Sequence, residues 1–263
     1  MKTVMKMISL AFKKRMEYRF AFYTDILVQL FAYMVTYINI RILLSNYGDI
    51  AGWSFKEILL LWALNVFSYG ISGFFVCGGA FSLEQYIVKG EFDLLLTKPF
   101  SCFFHLLLKN LSLEFLMHIV FSTIILITTF LSNSVHLNLK QILYLILLLI
   151  SIVLIQSCII LLLAFTSFWI VKSNGFIDTA IYGLRNFTTY PIDIYPKLVR
   201  IVITFVIPYV FVSYIPASYL LGKTQTIFPE WIVFCPPIVA FVLVVLSIIV
   251  WKKGISCYTS TGN

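Results

Sequence analysis

Charged residues are scarce in this chain of 263 residues. Only 11% of the residues are charged and 61% are apolar, whereas soluble proteins average about 25% charged and 45–50% apolar residues. The mean hydropathy of +0.98 points the same way. This composition excludes a soluble enzyme, a nucleic-acid-binding module and a disordered chain, so it predicts a polytopic membrane protein. The net charge of +8 is then explained by Lys and Arg in loops, where they set membrane orientation.

Motifs for nucleotide binding and hydrolysis are also lacking. The P-loop pattern G-x-x-x-x-G-K-[ST] is absent: Gly73 and Gly78 have its glycine spacing, but Gly79 stands where the lysine is required. Neither H-E-x-x-H nor G-x-S-x-G occurs. The three histidines lack metal-ligand spacing, and the five cysteines include no C-x-x-C pair. We therefore expect no ATP site, cofactor or metal in this chain. A membrane-embedded enzyme of lipid or cell-wall metabolism stays open as an alternative.

Six apolar segments are long enough to cross a membrane, for which a helix needs about 20 residues. They are residues 21–44, 58–81, 111–131, 142–171, 201–221 and 231–250. Four of these segments have no ionisable residue, which argues against an ion-coupled secondary transporter, the second alternative. Glu114 and His118 enter the third segment one helical turn apart. We interpret them as interfacial groups, with a proton relay as the other interpretation.

The distribution of Lys and Arg predicts that both termini are cytoplasmic. With the N-terminus inside, six spans place fifteen basic residues inside and four outside. Residues 1–20 differ from the spans, because Val4, Ile8 and Phe12 share one helical face and the charges lie elsewhere. This pattern predicts an interfacial amphipathic helix, although a plain polybasic flank gives a similar one.

The segment 82–100, between the second and third spans, combines mixed charge with an apolar run. Its polar residues Glu84, Lys89, Glu91 and Asp93 offer a docking face, and three leucines follow at residues 94–96. A short helix of this kind can dock into a groove on a cytoplasmic partner. A membrane-surface helix without a partner is the alternative.

Two motifs resemble the permease subunits of type-2 ABC exporters, the antibiotic-exporter-like class. The first runs from Lys89 and Gly90 through Glu91 and Asp93 to Lys98 and Pro99, and is similar to the signature G-x-x-D-x-L-L-x-[KR]-P. The second motif contains Tyr190, Pro191, Tyr195, Pro196, Pro208 and Pro216. Together with six spans, the resemblance covers the whole chain, and it identifies a class of permease without identifying a substrate.

The resemblance implies an architecture and partners. ATP and magnesium would bind a separate cytoplasmic ATPase, present in two copies below two permease chains, identical or homologous, among the lipids of the bacterial cytoplasmic membrane. Residues 82–100 would be the coupling helix that receives the ATPase movement, and residues 1–20 would be an elbow helix. The cargo would be amphipathic, such as a drug, lipid or peptide, and no nucleic acid is involved.

The resemblance also changes the expected topology before the last span. It places the fifth span at residues 174–190 and makes residues 191–230 an external region of re-entrant helices. Pro208 and Pro216 favour this arrangement, since each removes a helix hydrogen bond. Tyr190 and Tyr195, with the neighbouring prolines, would form the external gate. An aromatic belt at the membrane interface explains the tyrosines equally well.

Overall fold

The computed structural model describes residues 19–99, 101–132, 138–170, 172–223 and 227–259. Within these residues the only β-structure is an isolated bridge between Ile50 and Trp53. The α-helices, in chain order, are α1 (Arg19–Tyr47), α2 (Phe55–Ser72), α3 (Gly78–Val88), α4 (Phe92–Leu96), α5 (Cys102–Lys109), α6 (Leu116–Ser132), α7 (Leu139–Phe165), α8 (Asn174–Asn186), α9 (Lys197–Ile201), α10 (Tyr214–Leu221) and α11 (Pro236–Cys257). The predicted all-α polytopic membrane protein is confirmed.

Five helical segments of the described chain are long and apolar enough to cross a membrane. They are Phe20–Tyr47, Phe55–Val88, Leu113–Leu131, Leu139–Phe168 and Pro236–Cys257. These correspond to five of the six predicted spans. The second joins α2 and α3 through a π-helical turn at Gly73–Cys77. The last begins later than predicted, because Glu230–Phe234 form a 3₁₀-helix and the two prolines that follow suit the first turn of α11.

The expectation of one continuous helix over residues 201–221 is wrong. A π-helical turn at Val202–Val206 follows α9, and the axis then bends by 75° before α10. The break lies at Ile207, which is extended (φ −128°, ψ 90°) because a proline follows it. Pro216 breaks nothing: it lies in the first turn of α10, where its missing N–H is tolerated. If this bent pair counts as one span, the described chain has six.

The helix expected at residues 174–190 is present as α8 but ends at Asn186. Its 13 residues extend for about 20 Å at 1.5 Å per residue, which is less than the bilayer core of about 30 Å. The predicted elbow helix at residues 1–20 lies outside the described residues, except for Arg19 and Phe20 at the start of α1.

The span formed by α2 and α3 is the centre of the bundle. In its most apolar window 72% of the residues are buried, compared with 11% for α1. Small residues permit this close packing. A Cβ at Gly78 would lie 1.8 Å from the carbonyl oxygen of Asn110, and one at Gly73 would lie 2.0 Å from the ring of Phe115. The small residues of this span therefore serve helix packing.

The buried apolar side chains form two clusters, one toward each end of the bundle. The first contains Trp53, Tyr209 and Ile215. The second contains Leu83, Phe92 and Phe165. We name the end of the second cluster the basic end, because Lys89, Lys98, Lys109 and Lys172 belong to its helix termini and loops. The other is named the opposite end.

Candidate functional site

The segment from the end of α3 to α5 forms a compact turn at the basic end. Helix α3 stops at Lys89, whose N–H donates to the carbonyl of Gln85 at 3.0 Å. Gly90 follows with φ of +69°, a left-handed conformation that glycine adopts without the strain of a Cβ. The chain can therefore reverse at once into α4. The structure thus explains why the sequence motif has a glycine at position 90.

One face of α4 anchors the segment to the bundle. Phe92 is completely buried and Leu95 is 2% exposed. The ring of Phe92 packs edge-on against Tyr258 at 4.9 Å and against Phe168 at 5.6 Å, measured between ring centroids. The position of α4 is therefore fixed by α11 and by the turn after α7.

The other face of the segment is exposed and chemically mixed. We name it the docking face, and it consists of Lys89, Glu91, Leu94, Lys98 and Pro99. Leu94 is 65% exposed although it is a large apolar side chain. This combination of an exposed apolar side chain with charges of both signs gives the segment groups that can contact a partner protein. Four of the seven residues predicted to couple to an ATPase, together with Gly90 in the turn, thus form one surface.

Glu84 belongs to a different part of the structure. Its carboxylate accepts the backbone N–H groups of Ser173 at 2.7 Å and Asn174 at 2.6 Å. These groups lie at the N-terminus of α8, where a negative charge stabilises the helix. The Asn174 side chain also donates to the carbonyl of Phe81 at 3.0 Å. Glu84 therefore ties the end of α3 to the start of α8.

Asp93 is half-buried and faces the C-terminal end of the described chain. Burial, followed by the charge of the Asp93 carboxylate, raises the pKa of Tyr258, which comes directly after α11. Asp93 therefore contributes to the anchored side of α4 more than to its docking face.

Lys98 and α5 form a small basic cluster beside the docking face. The Nζ of Lys98 lies 3.2 Å from Nε2 of His105. Burial, together with the charges of Lys98 and Lys109, lowers the pKa of His105. A neutral imidazole accepts the hydrogen bond from Lys98, so the cluster is most stable when His105 is uncharged.

The residues predicted to form an external gate lie at the opposite end, but they do not form one patch. Tyr190 and Tyr195 are half-buried, Pro191 is buried, and Pro196 is exposed before α9. Pro208 and Pro216 are both buried, at the break after Val202–Val206 and at the start of α10. Tyr195 packs against Phe187, with 5.4 Å between the ring centroids.

Polar contacts hold this region closed around Asp193. The hydroxyl of Tyr214 donates to the Asp193 carboxylate at 2.9 Å. Arg200 donates to the backbone carbonyl of Asp193 at 2.9 Å and also to that of Tyr195. The segment before α9 is thus fastened to α10.

A polar connection inside the bundle escaped the sequence analysis. Nε of Arg185 donates to the Asn65 side chain at 2.9 Å, and Asn65 also contacts Thr188. The carbonyl of Thr188 in turn accepts the hydroxyl of Ser213 at 3.1 Å. The contacts link α2, α8 and the start of α10. Asn65 could have indicated this connection, since it is the only side-chain amide in a charge-free span. Polar side chains in such a span need partners.

A comparison with protein families matches residues 30–262 to the ABC-2 family transporter proteins. The match covers the described helices from the middle of α1 to α11. The chain belongs to the ABC-2 transporter family. It is a multi-pass membrane protein and the membrane component of an ABC transporter, a class that normally works with an ATPase subunit. No curated protein sequence and no solved structure matches it.

Proposed function

We propose that this ABC-2 permease forms the translocation pathway of an exporter in the bacterial cytoplasmic membrane, driven by a separate ATPase. The single observation that carries the proposal is the docking face. It is exposed, mixed in charge and rigidly anchored through Phe92. ATP and magnesium belong to the ATPase, since the chain contains no P-loop.

The assembly consists of two permease chains, identical or homologous, and two ATPase subunits. Helix α1 offers a contact surface for a second permease chain. It is long and apolar, but only 11% of the residues in its most apolar 18-residue stretch are buried within the protein. An apolar, aromatic lining with few charges suits an amphipathic cargo such as a drug, lipid or peptide. The transport cycle alternates access between the two membrane sides.

The orientation follows from the basic residues. The basic end carries most of the Lys side chains, so it faces the cytoplasm together with both termini. The opposite end then faces outward, and the bent pair α9–α10 forms a re-entrant external gate. Opening this gate requires release of Asp193 from Tyr214.

Transmission between the ends runs through α8. Glu84 fastens the start of α8 to the beginning of the coupling segment, at the end of α3. Arg185 and Thr188 fasten the end of α8 and the turn after it to Asn65 and Ser213. Movement of the docking face therefore reaches the gate through one short helix.

Charge reversal on the docking face tests the proposal. Glu91→Lys combined with Lys89→Glu should reduce recovery of a P-loop subunit in a pull-down, or abolish transport-coupled ATP hydrolysis, because the partner no longer meets complementary charges. Lys197→Glu, an exposed charge at the opposite end, is the matched control and should behave as wild type. Normal complex recovery and normal coupling in the double variant would refute the docking role.

Cysteine labelling tests the orientation. In a background without the five native cysteines, Ile194→Cys should react with an impermeant thiol reagent in intact cells, because Ile194 is 44% exposed at the opposite end. Lys89→Cys should react only after the membrane is opened. The reversed pattern would contradict the external placement of the gate.

A further inference from the structure

A cavity of about 440 Å³ lies between α1, α2, α6 and α8. Its size falls within the range of ligand pockets, which is about 300–1,000 Å³. Seven of its thirteen lining residues carry polar groups, among them Asp25, Gln29, Glu114 and His118. Polar side chains are costly within membrane spans and mark functional sites there. None of the functions described above uses this cavity.

Arg185 supplies a fixed positive charge on one wall. Its Nε is held by Asn65 at 2.9 Å, and its guanidinium lies 3.9 Å from the ring centroid of Tyr69. Such a preoriented guanidinium suits a bidentate contact with a phosphate or carboxylate.

His118 gives an independent indication that the cavity holds a polar ligand. The side chain is only 9% exposed, and its Nδ1 has no hydrogen-bond partner in the described part of the chain. The ring is surrounded by Phe115, Tyr33 and Tyr69, with centroids 5.2–5.7 Å away. Buried polar atoms in proteins are almost always paired, so an unpaired Nδ1 on a residue that lines the cavity is an exception that needs an explanation.

Two acidic residues also line the cavity. Asp25 comes from α1, and Glu114 comes from the 3₁₀ turn before α6. Both carboxylates have interactions within the protein, and their charges disfavour a purely anionic ligand. Tyr69 lies between the two regions, because it contacts Arg185 on one side and packs against Phe115, the neighbour of Glu114, at 5.2 Å. A ligand that carries both a negative and a positive charge is therefore complementary to this lining.

The cavity opens toward lipid along α1. That helix forms one wall with Asp25, Gln29 and Ala32, yet most of its residues are exposed. Val28 lines the cavity while 68% of its surface is exposed. An amphiphile can therefore enter sideways from the membrane, with its apolar part against α1.

We propose that this cavity binds the zwitterionic head group of a membrane phospholipid. The phosphate contacts Arg185, and the ammonium group lies toward Asp25 and Glu114, where the ring of Tyr182 adds a cation–π contact. This binding goes beyond the proposed transport function and needs neither an ATPase nor a second permease chain.

Lipid binding to the purified full-length chain tests the assignment. The probe is phosphatidylethanolamine with a fluorescent acyl chain, compared with phosphatidylglycerol carrying the same label. Wild type should bind the first saturably and at least tenfold more tightly than the second. Arg185→Gln should weaken binding of the first at least tenfold, whereas Arg41→Gln, on α1 but outside the cavity lining, should not.

Two further variants keep the test decisive if Arg185→Gln fails to fold. Ala32→Trp fills the cavity without changing a charge and should abolish saturable binding. Asp25→Asn with Glu114→Gln should reduce the preference for phosphatidylethanolamine. Absence of saturable binding in wild type, which would mean a cavity filled with water, overturns the proposal. Equal binding of the two lipids, or unchanged binding in a folded Arg185→Gln or Ala32→Trp variant, also overturns it.

Discussion

Two segments of equal length, one at each end of the bundle, differ in how deeply they are buried. All eleven residues from 208 to 218, at the opposite end, are buried, although this stretch contains a proline break and a 3₁₀-helix before α10 begins at Tyr214. Of the eleven residues from 89 to 99, at the basic end, only Phe92 and Leu95 are buried. The irregular segment is therefore packed inside the protein, and the segment that contains α4 is presented to its surroundings.

The difference follows from where each segment finds its partners. Irregular backbone inside a membrane protein must satisfy its polar groups internally. At the opposite end the backbone N–H of Val212 donates to the carbonyl of Tyr209 at 2.9 Å, and that of Ala217 donates to the carbonyl of Ser213 at 2.9 Å. The basic end satisfies its backbone with a helical turn and leaves its side chains available. It can thus bind a partner without first unfolding.

The largest effect should come from removing the anchor of α4. Phe92→Ala should cost about 3–5 kcal/mol, the usual cost of truncating a buried phenylalanine, and should release the docking face as well. Leu94→Ala, two residues away and exposed, should change stability by less than about 0.5 kcal/mol while weakening ATPase recovery. Thermal unfolding of the detergent-solubilised protein, monitored by gel filtration, measures the stability of both variants. A pull-down measures how much ATPase each variant recovers. Equal destabilisation by the two variants would remove the distinction between anchored and docking faces.

A smaller loss is expected where the two ends are connected. Glu84→Gln keeps the shape of the side chain but removes the negative charge at the start of α8, which should cost about 1–2 kcal/mol. Glu91→Gln is the matched control for the loss of stability, because Glu91 is exposed. Transport should also become less tightly coupled to ATP hydrolysis in Glu84→Gln. Wild-type coupling in a variant with measurably lower stability would show that Glu84 only supports the fold.

At the opposite end, Tyr214→Phe should cost about 1 kcal/mol, since it removes a single hydrogen bond, the one to Asp193. The segment around Asp193 should then open more readily. The Ile194→Cys label should consequently react faster in this variant than in an otherwise identical Tyr214 protein. Tyr219→Phe is a control at the same end, and an equal increase there would contradict a specific role for Asp193.

The smallest effect is a pH dependence at the basic end. The pKa of His105 is lower in the folded protein than the usual value of about 6.5, so the unfolded chain binds more protons near and below that value. Stability should therefore fall as the pH is lowered through about 6.5. His105→Gln should reduce this slope. An unchanged slope between pH 7 and pH 5 would show that Lys98 and Lys109 do not act on the imidazole.

How well each region could be predicted depends on the sequence pattern that it contains. Long apolar runs identified α1, α6 and α7 within a few residues, because bilayer thickness fixes the length of such helices. The break at Ile207 was foreseeable from Pro208. Pro216 led to a wrong prediction of a helix break. Proline also suits the first turn of a helix, and only tertiary packing decides between a break and a helix start.

Polar contacts between residues far apart in the chain could not be predicted from the sequence. Glu84 was grouped with the docking residues because it is close to them in sequence, yet its partners lie 89 and 90 residues later. The link between Asn65 and Arg185 spans 120 residues. The cavity beside Arg185 requires four helices to assemble, so neither hydropathy nor a local motif indicates it.

The central claim, that the exposed face of α4 meets the ATPase, can be tested in the intact complex by site-directed photo-crosslinking. In a cysteine-free background, Leu94→Cys carries a benzophenone maleimide, and Phe187→Cys, exposed at the opposite end, carries the same reagent as the control. We predict that illumination joins the first variant, but not the second, to a subunit that contains a P-loop. A crosslink from Phe187→Cys alone, or none from Leu94→Cys in a complex that retains the ATPase, would contradict the account.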